Sequence, residues 1–512
     1  MKRPAATSPF TDPANPQVIR AQGPLEIRTE VAVIGSGAGG ATFASELAER
    51  GFEVALLEMG PYITRKQMNQ RERDMLPLFY EDVASQTTAD GGIVVLHAHC
   101  VGGTTVVNNA ICFDPPTWLL DEWAERHGVV GTRRADLAAA NAKVNFILNV
   151  QKIAPDQVNT NAKVMMRGIE RIGIAGDTFH HNRTECLLSG FCMLGCAYDR
   201  KQNHHITYVP RALSFGARLY PEARIDRLIS RGQQVVEAVG TVRDPVSGKS
   251  YPLSIKADAF VVAGGAIWSP TLLLKSHLGN AQVGQNFHCH PIAAVAADMG
   301  DETIRAYEGI PQCYYVDQYL QDQGFVLESI FAGPSVSAAL LPAWGPSLQR
   351  LMHRYEHLAS AYVQIRDEDS GRIRVDARGV PVIDYSLSAR DAQKSLAGLK
   401  LLSRLFLAAG AQAAYLPRAG APIRTQADIA GMDVDFSPCR VSLVSAHQMG
   451  SLRMGEDPRF AAVDSRGKVF GTTNLYVADA SVFPTAIGLN PQITVATLAT
   501  HFANQFSRPL PV

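Results

Sequence analysis

The sequence predicts an α/β fold in which a Rossmann-type dinucleotide-binding domain is joined to an α+β domain built on an antiparallel sheet. Three observations carry this expectation. Residues 29–60, TEVAVIGSGAGGATFASELAERGFEVALLEMG, read as a buried strand, a glycine turn, an amphipathic helix and a second apolar strand. Residues 297–440 alternate strand-like runs (AYVQIRD, GRIRVDARG, PVIDYSLS) with one long helical pattern, DAQKSLAGLKLLSRLFLAAG. The C-terminal stretch adds another strand, NLYVADAS, and a closing helix, PQITVATLATHFANQF.

With 512 residues, 46% of them hydrophobic, the chain exceeds what one core usually supports, so at least two domains are expected. Lysine plus arginine equals aspartate plus glutamate at 48 each, which removes the basic surplus of a nucleic-acid or anionic-membrane binder. Proline, serine and threonine follow the first basic residues where a signal peptide would be apolar, so the chain is expected to be cytoplasmic. Apolar stretches such as 259–268 fall short of the roughly 18–20 residues of a membrane span.

The glycine turn is the most specific feature. Gly35-Ser36-Gly37-Ala38-Gly39-Gly40 matches G-x-G-x-x-G with a strand before it and a helix after it. Gly35 allows the tight turn, Gly37 lets the backbone approach a pyrophosphate, and Gly40 lets the helix pack on the strand. The helix N-terminus offers free N–H groups and positive dipole to phosphates. Glu58 closes the second strand, where a carboxylate accepts hydrogen bonds from a ribose diol and repels a 2′-phosphate. The ligand is therefore FAD or NAD, not NADP.

Further segments resemble the glucose-methanol-choline (GMC) oxidoreductase family over nearly the whole chain: CVGGTTVVNNA (100–110), VVAGGAIWSPTLLLKS (261–276), VGQNFHCHP (283–291), and the C-terminal HQMGSLRMG through GLNPQITVATLA. The resemblance implies FAD rather than NAD. It places Gly102, Gly103, Thr104 and Asn108 along the flavin, Asp479 beside the ribityl and pyrophosphate region, and Ile225 at the adenine through its main chain. His447 matches the histidine that opens the family's H-x-x-G-[ST] motif, and Asn490 matches its second position, held by His or Asn. Removing hydride from an alcohol carbon requires a base for the hydroxyl proton, and histidine suits that role near neutral pH. A neutral amide orients the oxygen without competing as a base.

Of eight cysteines, Cys186, Cys192 and Cys196 crowd together as C-x5-C-x3-C. Thiolates at this spacing suit a soft metal or an iron–sulfur cluster. The segment is similar to long-chain alcohol oxidases and to FAD-dependent sugar dehydrogenases, and the latter resemblance implies a [3Fe–4S] cluster. The alternative is an inert knot of thiols, with or without one disulfide. With a cluster, electrons would leave toward a cytochrome or quinone; without one, toward oxygen or a diffusible acceptor.

The expected organisation is an arm (1–28), three FAD-domain segments (29–115, 206–296, 441–512), a helical insertion or lid with the cysteines (116–205), and a substrate domain (297–440). The expected reaction is CH–OH to C=O on a lipophilic or medium-sized small-molecule alcohol, with a free sugar as the alternative. A non-catalytic dinucleotide-binding scaffold would need neither His447 nor Asn490. A flavin disulfide reductase would need a paired C-x-x-C or C-x4-C and a second glycine fingerprint, and the sequence has neither.

Overall fold

The computed structural model describes residues 15–341 and 343–507, so the first half of the predicted arm lies outside the described residues. Strand β1 (Leu25–Ile34) is solidly apolar from Val31 onward because it becomes a central strand, paired in parallel with 253–262 on one side and with β2 (Val54–Leu57) on the other. Helix α1 (Ala38–Glu49) follows the glycine turn, and every residue from Gly39 to Ala48 is buried. The seven-stranded sheet continues through 218–220, parallel to β2, and through an antiparallel group of 223–231, 234–243 and 250–262. Strand 475–477 runs parallel beside the far end of 250–262.

Four segments leave the carboxyl ends of these parallel strands side by side. Gly35 follows Ile34, Glu58 follows Leu57, Ala263 follows Val262, and Asp479 stands just past Val477. The crevice beyond such strand ends is where open α/β sheets bind ligands. A dinucleotide domain assembled from distant stretches of chain is the direct result.

The second layer is an eight-stranded, mostly antiparallel sheet with its own hydrophobic core, backed by helix Ala389–Ala408. Strands Ile292–Asp298 and Leu358–Ile365 form its centre in seven-residue register. Strand Leu443–Ser445 pairs with both Ile93–Val95 and Ile292–Asp298.

Several expected boundaries need correction. The substrate sheet starts at Ile292 and recruits Ile93–Val95 and Leu443–Ser445, so divisions at 296/297 and 440/441 cut through it. The arm ends earlier than residue 28: β1 begins at Leu25, and Val18 already bridges Leu219. The 116–205 stretch is not one lid. Its helix Arg134–Ile147 packs on the C-terminal helix Gln492–Gln505, whereas Thr160–Ile172 packs on Ala389–Ala408, so the two belong to different layers. Among the described residues, no helix is long and apolar enough to cross a membrane.

Candidate active site

The glycine turn is held by contacts that leave no room for side chains. Gly35 takes φ +108°, and a Cβ there would stand 2.2 Å from the Ala263 carbonyl oxygen. Gly39, which the sequence motif treats as a free position, is equally constrained, since its Cβ would meet the Ala478 oxygen at 1.7 Å. Strand ends 34, 262 and 477 therefore converge on the first turn of α1.

Glu58 is buried, and its carboxylate accepts hydrogen bonds from the Ser36 amide (3.0 Å), the Ser36 hydroxyl (2.7 Å) and the Gly60 amide (2.9 Å). Burial pushes its pKa up, against the pull of those donors. The Gly102 amide donates to the Ser36 hydroxyl at 3.1 Å, which ties the 100–108 loop to the turn.

One cavity of about 1310 Å³ begins at this turn and reaches His447 and Asn490. That exceeds the roughly 300–1,000 Å³ of a single-ligand pocket. Among the expected site residues, Gly35, Ser36, Gly37, Ala38, Glu58, Gly103, Thr104, Asn108, Ile225, Asp479, His447 and Asn490 line it. Gly40 and Gly102 stand behind it. Gly40 packs against the Gly35 oxygen, and a Cβ on Gly102 would press on His205, so both shape the wall without facing the cavity.

Asp479 lines the cavity with both carboxylate oxygens engaged by protein donors. Its Oδ1 accepts from the Ser481 amide (2.8 Å), while its Oδ2 accepts from the Gly265 amide (2.8 Å) and the Ser269 hydroxyl. These donors hold the start of helix Gly265–Ser276 and the turn 480–482 beside α1. The carboxylate is thus a cap for two chain segments at the cavity wall. Asn108 is likewise engaged, donating to Gln492 Oε1 (2.8 Å) and accepting from the Ala110 amide (3.0 Å).

His447 follows strand Leu443–Ser445 by two residues, and Asn490 precedes the C-terminal helix, so the pair is built where the two layers meet. His447 Nε2 stands 3.3 Å from Asn490 Nδ2. Burial, reinforced by the neighbouring His290 ring, holds the His447 pKa well below the ordinary imidazole value. The ring is neutral at physiological pH. His290 Nε2 accepts the Gly488 amide at 2.8 Å, and its Nδ1 makes a long 3.4 Å contact with His447 Nδ1.

Sequence reasoning did not find a polar cluster beside this pair. Tyr362 and Gln312 line the cavity, and both donate to the Oε2 of buried Glu328, Gln312 at 2.8 Å. Glu328 and Tyr362 are register partners on adjacent strands, a pairing that only the sheet topology reveals. Burial raises the Glu328 carboxyl to about 7, offset in part by Tyr362 and Gln312.

The three cysteines line a separate cavity of about 20 Å³, space for about one water molecule. The Arg183 guanidinium reaches Cys192 Sγ at 3.6 Å, and the Arg200 amide reaches Cys196 Sγ at 3.3 Å. Among the described residues, no three histidine, cysteine or acidic side chains are arranged to hold a metal. A cuboidal cluster does not fit a space that small with a guanidinium against one of its ligands, so the cysteines are not assigned as iron ligands.

A dinucleotide does fit the larger cavity. The glycine turn is bare, the buried acid follows the second strand, and Trp268 Nε1 and Asn490 Oδ1 are buried in the wall without protein partners. Fold and site together define a two-domain flavoprotein oxidoreductase. Sequence profiles of the GMC oxidoreductase family match residues 37–292 with the N-terminal domain and 367–499 with the C-terminal domain. The chain belongs to this family and is an FAD-dependent enzyme.

A long-chain-alcohol oxidase of Arabidopsis thaliana is 28% identical over 522 residues, covering 95% of this chain and 69% of the relative. An uncharacterized GMC-type oxidoreductase of Mycobacterium tuberculosis (strain ATCC 25618 / H37Rv) is 28% identical over 493 residues, covering 95% and 77%. The fold is shared with pyridoxine 4-oxidase from Mesorbium loti (TM-score 0.70, 18% identity, 93% of this chain and 99% of that one). It is also shared with Aspergillus oryzae formate oxidase carrying an R554K mutation (TM-score 0.71, 14% identity, 94% and 98%).

Proposed function

We propose that the enzyme oxidises a lipophilic or medium-sized primary alcohol to the carbonyl compound and passes the electrons to dioxygen. The observation that carries this reading is the single cavity joining the glycine turn to the buried His447–Asn490 pair. Bound FAD supplies the hydride acceptor at its N5 atom. The Gly35–Ala38 turn with the α1 N-terminus would hold the pyrophosphate and Glu58 the ribose. Gly103, Thr104 and Asn108 would follow the flavin edge, and the Ile225 main chain would meet the adenine.

His447, neutral because it is buried, presents a ring nitrogen that takes the hydroxyl proton. Asn490 orients the substrate oxygen through a buried amide whose carbonyl has no protein partner. Water is excluded by the apolar wall, which includes Leu96, Phe331, Leu340 and Met352. Helices Pro334–Leu340 and Gly345–His353 contribute to that wall and bury none of their own residues in the protein core, which favours an apolar substrate. The alcohol-oxidase relatives support the same class, and their being oxidases supports dioxygen as acceptor.

The test is a series of straight-chain primary alcohols compared with glucose, with peroxide release followed. Burying each added methylene is worth about 0.8 kcal/mol, so kcat/KM should rise about fourfold per carbon until the cavity is filled. A flat length dependence, or glucose as the better substrate, would contradict the reading.

A further inference from the structure

Arg183 is buried, and a guanidinium does not lose its proton in a protein. Buried charges are normally paired with an opposite charge. Yet, among the described residues, its guanidinium contacts only His181 Nδ1 (3.0 Å), the Asn109 carbonyl and Cys192 Sγ (3.6 Å), and its Nε has no partner. Lys201, also buried, spends its ammonium on the carbonyls of Val106 (2.7 Å), Asn108 (2.7 Å) and Cys192 (2.9 Å). Among the described residues, neither cation pairs with a carboxylate. The one ionisable acid among the described residues in direct contact with the guanidinium is the Cys192 thiol.

We propose that Cys192, held against the buried Arg183 guanidinium, is a resident thiolate nucleophile for small hydroperoxides, with a thiol of the same cavity, Cys186 or Cys196, as its resolving partner. The space around the thiols is small, so only the smallest hydroperoxides can approach, and hydrogen peroxide, with two heavy atoms, is the smallest of them. Cys192 is only half-buried, and its loop is partly open to solvent, with Leu187 and Phe191 exposed. Burial alone would push the thiol pKa up; Arg183, followed by Lys201, reverses this and brings it below its ordinary value.

The chemistry balances within named reactants. The thiolate attacks one peroxide oxygen, the O–O bond breaks, and hydroxide leaves and is protonated to water, which gives the sulfenic acid. The Cys186 or Cys196 thiol then attacks that sulfur; an S–S bond forms and a second water leaves. The peroxide is the co-reactant and is added in the test.

The flavin-loaded full chain is treated with hydrogen peroxide at pH 7, and the loss of each free thiol is followed by mass spectrometry, with exposed Cys439 as the internal reference. An ordinary thiol with a pKa near 8.5 is about 3% thiolate at pH 7. A standing thiolate therefore gains about 30-fold in reactive fraction, and its lower basicity leaves roughly tenfold in rate. Cys192 should react about tenfold faster than Cys439 and appear as a sulfenic acid adduct when both Cys186 and Cys196 are replaced by serine. Arg183→Met should remove the advantage and Arg183→Lys should restore most of it. Equal rates for Cys192 and Cys439 in the wild-type protein overturn the proposal, as does full reactivity in Arg183→Met. Bound iron that shields all three thiols from peroxide overturns it as well. If Arg183→Met does not fold, the wild-type comparison and Arg183→Lys still decide.

Discussion

Replacing Glu328 by glutamine should change how stability depends on pH. In the folded protein, burial raises this carboxyl from 4.5 to about 7, and each pKa unit corresponds to about 1.36 kcal/mol. The native state therefore binds the Glu328 proton more tightly than the unfolded chain. Stability from this group is fully present below the unfolded value and is lost as pH rises through the folded one. Over that window the loss amounts to roughly 3 kcal/mol. Glu328→Gln keeps an acceptor for Tyr362 and cannot ionise, so it removes the slope. Melting temperatures of the flavin-loaded proteins at pH 5 and pH 8, at one scan rate, provide the assay. With an unfolding entropy of about 1.1 kcal/mol/K for a chain of 512 residues, the variant should gain on the wild type by about 2 °C between the two pH values. Parallel curves would refute the reasoning, because they would mean that Glu328 titrates alike in both states.

His447→Ala should retain FAD but slow substrate reduction of the flavin by about 10²-fold or more, the share of a positioned general base, measured by anaerobic rapid mixing. The lowered His447 pKa also predicts a wild-type reduction rate that is flat from pH 6 to pH 8 and falls only at more acid pH, as the base is protonated. An inflection near 6.5 in the rate profile would speak against a desolvated base. Gly39→Ala, whose Cβ would meet a backbone oxygen at 1.7 Å, should yield protein unable to retain FAD. Gly23→Ala, with nothing within 4 Å, should match the wild type in flavin content.

How far the sequence disclosed the site follows from the range of the interactions involved. The turn at Gly35–Gly40 was legible because strand, turn and helix are local, and the strand ending at Glu58 lies within the same unit. The parallel pairing of Val261 with Tyr476, which brings Asp479 beside α1, joins residues far apart in the chain; no periodicity encodes it, and a family resemblance had to stand in for it. A lone acid at the end of a strand is often a cap, and the oxygens of Asp479 do cap two protein segments, which only the structure identifies. Glu328 and Tyr362 lie in ordinary strand patterns and acquire significance only through register. The cysteine spacing invited a metal, and Arg183, three residues before Cys186 in sequence, changed the reading only once its guanidinium was seen against Cys192.

A flavin at the glycine turn should take hydride from an alcohol placed at His447 and Asn490. Anaerobic addition of a long-chain primary alcohol to the purified yellow protein tests it most directly, with the visible flavin band as the readout and the released cofactor identified after denaturation. The band should bleach, one aldehyde should form per FAD, and admitting air should restore the colour. FAD that stays oxidised in the presence of every alcohol tried, or a bound nucleotide other than FAD, would contradict it.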